Sequence, residues 1–103
     1  MRRKKKFTAE ELYMIAMLYQ HGSVPLDYKK AKLFARRNIN KGFEKARWLY
    51  AAATDRLLMK QGKKQKYGTQ YVRNKGKWSL YPVNLRTTNK ERKKYNVPVI
   101  KEF

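Results

Sequence analysis

The chain contains no cysteine, a single histidine and only seven acidic residues among its 103 positions. Without cysteine it can form no disulfide, no cysteine-ligated zinc site and no thiol nucleophile. Most of the acids stand where helices are expected to begin; these are Glu10, Glu11, Asp27 and Glu91. Few carboxylates are then left to bind a metal, and His21 has no second histidine to assist it. We therefore expect neither a metal nor a cofactor.

Long apolar runs are also missing. No stretch of about 18 apolar residues occurs, so no membrane-spanning segment is predicted. The basic start of the chain is not followed by the apolar stretch of a signal peptide. Gly62 and Gly68 are too isolated to form a glycine-rich phosphate loop. These absences predict a protein of the cytoplasm or of an organelle matrix that is not secreted.

Positive charge, by contrast, is abundant. Lys and Arg number 27 against 7 acids, which gives a formal net charge of +20 at pH 7. Such a surplus repels itself and costs stability unless anions lie nearby. At 42% hydrophobic residues the chain is still apolar enough to fold. We expect a disordered basic arm over residues 1–7 and a single small domain over residues 8–103.

The first helix is expected to begin just after Thr8. Thr8 and Glu11 have the spacing of a capping box, in which each side chain bonds the other's backbone N–H group. Apolar residues then recur at helical spacing from Leu12 to Tyr19. Gly22 is expected to end this helix in a left-handed conformation.

Two further helices follow in the sequence. Asp27 is the expected N-cap of the second, whose apolar residues are Ala31, Phe34, Ala35 and Ile39. Its other face is basic and carries Lys29, Lys30, Lys32, Arg36 and Arg37. The third helix is predicted from about Phe43 to Met59, and Gly62 is the residue expected to terminate it.

After Gly62 the pattern changes to strands. Residues 67–73 and 78–83 are rich in aromatic and β-branched side chains, and residues 74–77 predict a hairpin turn between them. Because a lone hairpin is marginal in water, we expect it to pack on the helices, with Val72 and Leu80 inside. A short helix should open at Thr88–Glu91, and residues 97–100 should fold back on the core. The predicted fold class is mainly α: a three-helix N-terminal unit with a C-terminal β-hairpin and a short terminal helix.

Alanines and glycines recur at helical spacing over residues 9–53. The residues that carry this pattern are Ala16, Tyr19, Gly22, Asp27, Lys30, Ala31, Gly42 and Ala46. The pattern resembles a Sel1-like helical repeat, which implies paired antiparallel helices that approach closely at small side chains.

A sharper pattern lies further along the chain. Asp55-Arg56 precedes the run from Gly62 to Gln70, GKKQKYGTQ, and later positions that match are Pro82-Val83, Arg92 and Pro98. Together with Gln20-His21 upstream, this order resembles a bacterial domain family of unknown function with a DR…GxxQxYGTQ…PV signature, over about residues 20–103. The resemblance implies no established activity. This chain is far more basic than the members of that family.

The polar residues of this signature leave a catalytic alternative open. If they converge, His21 would act as general acid or base, and Asp55 or Tyr67 would be the second proton carrier. Arg56 would then stabilise phosphate charge, as in a small metal-independent nuclease or nucleotide-processing enzyme. The remaining polar residues of the signature are Gln65, Thr69 and Gln70.

The same residues also have a structural interpretation. Asp55 and Arg56 would form an ion pair that fixes the following loop, while Gln65 and Gln70 would bond the loop backbone. Gly68 would permit a tight turn. On this interpretation the exposed cations bind and nothing is cleaved, and we expect binding rather than catalysis.

Basic and aromatic residues interleave after residue 60, a combination suited to phosphates and unpaired bases. We expect a nucleic acid as partner, RNA rather than DNA, and a structural role in a ribonucleoprotein particle such as a ribosome, where other proteins of a large complex are further partners. The rings available for stacking are Tyr67, Tyr71, Trp78 and Tyr81, with Tyr71 or Trp78 nearest the ligand. The basic residues expected to contact the nucleic acid are Arg2, Arg3, Lys4, Lys5, Lys6, Lys29, Lys30, Arg36, Arg37, Lys60, Lys63, Lys64, Lys66, Arg73, Lys75, Lys77, Lys93 and Lys94.

Two other kinds of partner stay open on the sequence alone. An anionic membrane surface or an acidic protein would also attract so basic a chain. A further alternative function is that of a phage or mobile-element protein that inhibits a nucleic-acid machine.

Overall fold

The computed structural model describes residues 6–100. The mainly α fold class predicted from the sequence is confirmed. Its elements, in chain order, are α1 (Ala9–Gln20), α2 (Pro25–Asn40), α3 (Lys45–Lys60), β1 (Tyr71–Asn74), β2 (Lys77–Leu80) and α4 (Asn89–Lys94). None of the helices in this part of the chain is long and apolar enough to cross a membrane. Most of the predicted basic arm, Arg2 to Lys5, lies outside the described residues.

Helix α1 begins as its sequence predicts. The Thr8 hydroxyl accepts from the Glu11 N–H at 3.1 Å, and the Thr8 N–H donates to the Glu11 carboxylate at 3.0 Å. The prediction for Gly22 was wrong, because its backbone does not adopt the left-handed conformation. Glycine is needed there for a different reason: a Cβ atom would overlap the carboxylate of Asp27.

Helix α2 begins three residues earlier than predicted, with Val24 and not Asp27 as its N-cap. Pro25 occupies its first turn, where no N–H group is needed and the fixed φ of proline suits the helix. The carboxylate of Asp27 reaches back over the helix start and accepts from the N–H groups of Ser23 at 3.2 Å and Val24 at 3.4 Å.

Small side chains set the packing of the three long helices. Helix α2 contacts both α1 and α3, which contact each other much less. Seven alanines of these helices are fully buried; they are Ala16, Ala31, Ala35, Ala46, Ala51, Ala52 and Ala53. The middle of α3, from Ala51 to Asp55, is buried on every side. Any loop that packs on α3 is therefore fixed to the centre of the fold.

The loop after α3 wraps around one carboxylate. Asp55 accepts from the backbone N–H groups of Lys66, Tyr67, Gly68 and Thr69 at 2.8–3.1 Å, and from the Thr69 hydroxyl at 2.7 Å. Residues 67–70 are thus a loop and not the start of the predicted strand. Charge-assisted bonds to several donors at once are among the stronger interactions available to a buried carboxylate.

Arg56 does not pair with Asp55, contrary to the structural interpretation of the sequence. Neighbouring residues on a helix point about 100° apart, so the two side chains leave α3 in different directions. Arg56 donates to the Tyr28 hydroxyl at 3.2 Å and to the Gln70 side-chain oxygen at 3.5 Å. Asp55 therefore bonds the loop backbone, while Arg56 reaches only the side chain of Gln70.

Arg92 holds the same loop from the other side. This arginine of α4 is 3% exposed, and its Nε donates to the Tyr67 carbonyl at 3.1 Å. The Tyr67 backbone therefore lies between a carboxylate that bonds its N–H and a guanidinium that bonds its carbonyl. Helix α4 itself begins at the predicted cap, where Thr88 accepts from the Glu91 N–H. The tail folds back as predicted at Val97, which is buried, whereas Val99 is exposed.

The hairpin turn forms where it was predicted, with Asn74 opposite Lys77. Its strands are shorter than expected, and the expectation that they pack on the helices was wrong. Strands β1 and β2 contact each other extensively, but within residues 6–100 they contact no helix to a comparable extent. Val72 and Leu80, expected inside, are only half-buried.

Gln65 replaces helix packing as the support of the hairpin. Its side-chain amide donates to the carbonyls of Gln70 and Tyr81 at 3.0 and 2.6 Å and accepts from the Gln70 N–H at 3.0 Å. Its backbone bonds Pro82 and Asn84 in the segment that follows β2. One fully buried glutamine thus ties both ends of the hairpin together, as expected for its role in bonding loop backbone.

Candidate nucleic-acid interface

The first basic groove lies between α2 and α3. Lys29, Lys32 and Arg36 recur at i, i+3 and i+7, so they share one face of α2. This face looks onto Tyr50 and Leu57 of α3 across an open groove of about 410 Å³. The groove offers three cations above an apolar and aromatic floor.

The remaining cations of α2 lie on its other flank, beside α1. Lys30 sits 5.3 Å from the ring centroid of Tyr19, and Arg37 sits 5.4 Å from that of Phe34. These two rings are themselves stacked at 5.9 Å. The single basic face predicted for α2 is therefore divided, and Lys30 and Arg37 do not join the groove.

A row of three tyrosines continues from the first groove. Tyr50 stacks on Tyr95 with centroids 5.3 Å apart, and Tyr95 meets Tyr67 at 5.1 Å. Arg36 is fixed at one end of this row, with its guanidinium carbon 4.3 Å from the centroid of Tyr50 and its Nη2 donating to the Tyr95 hydroxyl at 2.8 Å. The guanidinium is thus oriented before any ligand arrives.

These contacts also shift the ionisation of the groups involved. The hydrogen bond to Tyr95 raises the pKa of Arg36, so its positive charge is secured. Burial raises the pKa of Tyr95, but the hydrogen bond and charge of Arg36, aided by Lys94 and Lys66, outweigh it and lower the pKa overall. The Tyr95 hydroxyl accepts from a cationic donor, and such charge-assisted hydrogen bonds are stronger than neutral ones, which helps to fix the Arg36 side chain.

The second basic groove lies beside the loop that Asp55 holds. It is an open space of about 510 Å³. Its lining residues are Leu58, Lys63, Lys64, Lys66, Asn84, Arg86, Thr87 and Glu91. Four of these are cations and one is an acid, so the groove attracts anions.

The tyrosine row connects the two grooves. Lys66 of the second groove has its Nζ 5.4 Å from the centroid of Tyr67, and Lys94 lies 5.9 Å from that of Tyr95. We call the whole arrangement the basic surface. It comprises Lys29, Lys32, Arg36, Lys63, Lys64, Lys66, Arg86 and Lys94.

Most carboxylates are bound elsewhere. Glu11 and Asp27 bond backbone N–H groups at the starts of α1 and α2, and Asp55 is enclosed by its loop. Glu44 pairs with Arg47 at 3.2 Å, away from both grooves. Glu91 alone among the described acids lines a basic groove. The positive charge of the basic surface is consequently little neutralised by the described acids of the protein.

The structure places the other predicted contact residues apart from this surface or at its edge. Lys60 and Lys93 are exposed at the ends of α3 and α4, and the hairpin carries Arg73, Lys75 and Lys77. Lys6 is exposed, whereas Arg2 to Lys5 lie outside the described residues.

Tyr67 was expected to be free for base stacking, and this was wrong. Its side chain is 3% exposed, because the loop around Asp55 turns it inwards onto Tyr95. Tyr71 and Trp78 remain available, at 60% and 67% exposure.

The basic residues expected from the sequence did not include Lys32 or Arg86, and the packing of Tyr50 and Tyr95 was not predicted. Spacing was the available signal for Lys32, since positions 29, 32 and 36 define one helical face. For Arg86 the signal was the absence of any acid from residue 56 to residue 90, a stretch with ten Lys and Arg residues. Tyr95 had no signal, because its partners lie far away in the chain.

The catalytic candidates do not all converge. His21 is exposed just after α1, while Asp55 is fully buried with both oxygens accepting hydrogen bonds. Burial raises the pKa of Tyr67 far above its ordinary value, so its proton is held tightly. Arg56 is linked to the neighbour of His21 by two hydrogen bonds. It donates to the Tyr28 hydroxyl, which in turn donates to the carbonyl of Gly22 at 2.7 Å.

Substituting Tyr67 by phenylalanine should reduce the loss of stability in alkali. Burial raises the pKa of Tyr67 in the folded chain, so above a pH of about 10 the unfolded chain is the first to release this proton. The stability that the protonated Tyr67 contributes to the folded chain is therefore lost as the pH rises above about 10. Urea unfolding at about pH 9 and about pH 11 should show a smaller decline for Tyr67→Phe than for wild type. An equal decline would contradict the assignment.

The chain matches no protein-family model, no curated protein and no solved structure. The resemblances seen in its sequence therefore stay predictions.

Proposed function

We propose that this protein binds RNA through the basic surface, as a structural component of a ribonucleoprotein particle. The observation that carries the proposal is the pair of basic grooves joined by the tyrosine row, while most of the described carboxylates are engaged elsewhere, by backbone N–H groups or by Arg47. A surface with so little internal neutralisation gains most from a partner that supplies regularly spaced negative charge. A phosphate polymer is such a partner.

Contacts of this kind give affinity without much base specificity. Lysines bind phosphates as point charges on flexible stems, whereas Arg36 is already oriented by Tyr50 and Tyr95. Phosphate contacts fix the position of a protein on a nucleic acid but do not identify its sequence. RNA is favoured over DNA because folded RNA presents unpaired bases, which suit the exposed rings of the hairpin.

Charge removal on and off the basic surface tests the proposal. The variant Lys29→Gln/Lys32→Gln loses two groove cations, and the matched control Lys41→Gln/Lys45→Gln loses two exposed cations at the α2–α3 connection. The groove pair should weaken binding to a labelled RNA by on the order of tenfold per lysine, because each removes a phosphate contact. The control should lose only long-range attraction and change affinity by less than about threefold.

Fluorescence anisotropy with the same RNA at one salt concentration measures both pairs. Equal losses for the two pairs would mean that net charge, not the basic surface, governs binding. Gel analysis of the incubated RNA distinguishes binding from cleavage, and any cleavage that His21→Ala abolishes would favour the catalytic alternative.

A further inference from the structure

The exposed face of the hairpin is aromatic. Tyr71 lies opposite Leu80 and Arg73 lies opposite Trp78. Residues two apart on a strand, and residues directly paired across strands, share a face of the sheet. Tyr71, Arg73, Trp78 and Leu80 therefore form one face, which we call the hairpin face. Its two rings are 60% and 67% exposed.

The helices do not cover this face, yet it is firmly supported. The hairpin makes no extensive contact with the helices in the described part of the chain, and the molecule is elongated, with extents of 59 × 28 × 22 Å. Gln65 nevertheless bonds both ends of the hairpin, and Gln65 itself is fully buried. The rings are thus held out from the fold on a fixed support, a costly arrangement for two large apolar side chains unless a partner uses them.

The charge around the hairpin face identifies the kind of partner. No acid occurs from residue 56 to residue 90, and Arg73, Lys75 and Lys77 lie on the hairpin itself. Arg73 stands 6.0 Å from the ring of Trp78, so a cation and a flat ring are presented together. An occupant with both an anionic group and a flat apolar face complements this pair, and a nucleotide has both.

We propose that the hairpin face stacks on unpaired bases of the RNA, while the basic surface holds the phosphates of the same molecule. This inference rests on the proposed function and adds the class of RNA that is bound. Bases inside a duplex have both faces covered by their neighbours, so only loops, bulges and single strands offer a free face to Tyr71 and Trp78. The protein consequently discriminates by base pairing rather than by base sequence.

Tryptophan fluorescence tests the stacking directly. The chain has a second tryptophan, Trp48, which is 41% exposed on α3, so the experiment uses Trp48→Phe to leave Trp78 as the only reporter. This protein is titrated with a single-stranded RNA, with a blunt RNA duplex of equal length and with inorganic polyphosphate. All three should bind at low salt, but only the single strand should quench Trp78 by contact with its bases.

Affinity measurements on hairpin variants supply the second arm. Trp78→Ala and Tyr71→Ala should each weaken binding to the single strand at least about fivefold and leave polyphosphate binding unchanged. Trp78→Phe keeps a ring and should restore most of the loss. Leu18→Ala, which removes an equally exposed apolar side chain from α1, is the matched control and should change neither affinity.

The outcomes separate the two proposals. Binding of single strand and duplex with equal affinity, with no quenching and no effect of Trp78→Ala, would overturn the stacking and leave RNA binding intact. Equal quenching of Trp78 by polyphosphate would also overturn it, since polyphosphate carries no bases. Failure of every RNA to bind would overturn both proposals together.

Discussion

Replacing Asp55 by alanine is expected to destabilise the protein by at least about 3 kcal/mol, a large fraction of the stability of a small domain. The substitution removes the acceptor of five hydrogen bonds and leaves four backbone N–H groups in a partly buried loop without a partner. A buried donor that loses its acceptor costs about 1–3 kcal/mol. The loop is expected to detach rather than tolerate that cost at every position.

Urea denaturation followed by circular dichroism measures this effect. Asp27→Ala is the matched control, because it also removes a carboxylate that bonds backbone N–H groups, but at an exposed helix start. Loss of such a cap costs about 1 kcal/mol. Asp55→Asn should be nearly as damaging as alanine, since one carboxylate oxygen becomes an N–H₂ group that faces other donors. A cost for Asp55→Ala no greater than that for Asp27→Ala would contradict this account.

RNA affinity is expected to fall by about three orders of magnitude between about 50 and about 200 mM salt, if six or more phosphates are contacted. Each neutralised phosphate releases condensed counterions, and added salt opposes that release. The eight cations of the basic surface can supply this number of contacts. Among the described acids, only Glu91 lines one of the two grooves and competes with phosphates for these cations.

Anisotropy over a potassium chloride series at constant pH measures the slope. In the Lys29→Gln/Lys32→Gln variant, the slope of log K against log salt should shrink by about two, one unit for each lost phosphate contact. The control pair Lys41→Gln/Lys45→Gln should keep the slope of wild type. Affinity that is insensitive to salt would point to a partner other than a phosphate polymer.

The parts of the fold that the sequence predicted correctly are those set by local interactions. The capping residues Thr8 and Thr88 and the apolar spacing of α1 act within a few residues, so their signals lie in short stretches of sequence. The loop around Asp55 could not be predicted in this way. Its bonds span 11 to 14 residues and use backbone N–H groups, which every residue but proline possesses.

The candidate site was predicted less well, because it depends on how the elements pack. Helical spacing alone groups Lys29, Lys32 and Arg36, but only the position of α3 decides that this flank becomes a groove. The ring of Tyr67 was misassigned because β1 begins at Tyr71, so the expected alternation of strand faces does not extend to it. The excess of Lys and Arg over acids, in contrast, predicts a polyanionic partner from composition alone.

The attachment of the hairpin through Gln65 divides the molecule into regions that open separately. Breaking the bonds of one glutamine would free β1 and β2 while the alanine-rich contacts between α2 and α3 stay closed. Backbone amides of the two strands should therefore exchange with deuterated solvent through a local opening, whereas exchange of the amides of α2 and α3 requires global unfolding. A ligand that binds the hairpin would slow exchange in the strands first. The pattern of protected amides would then locate the bound ligand on the hairpin.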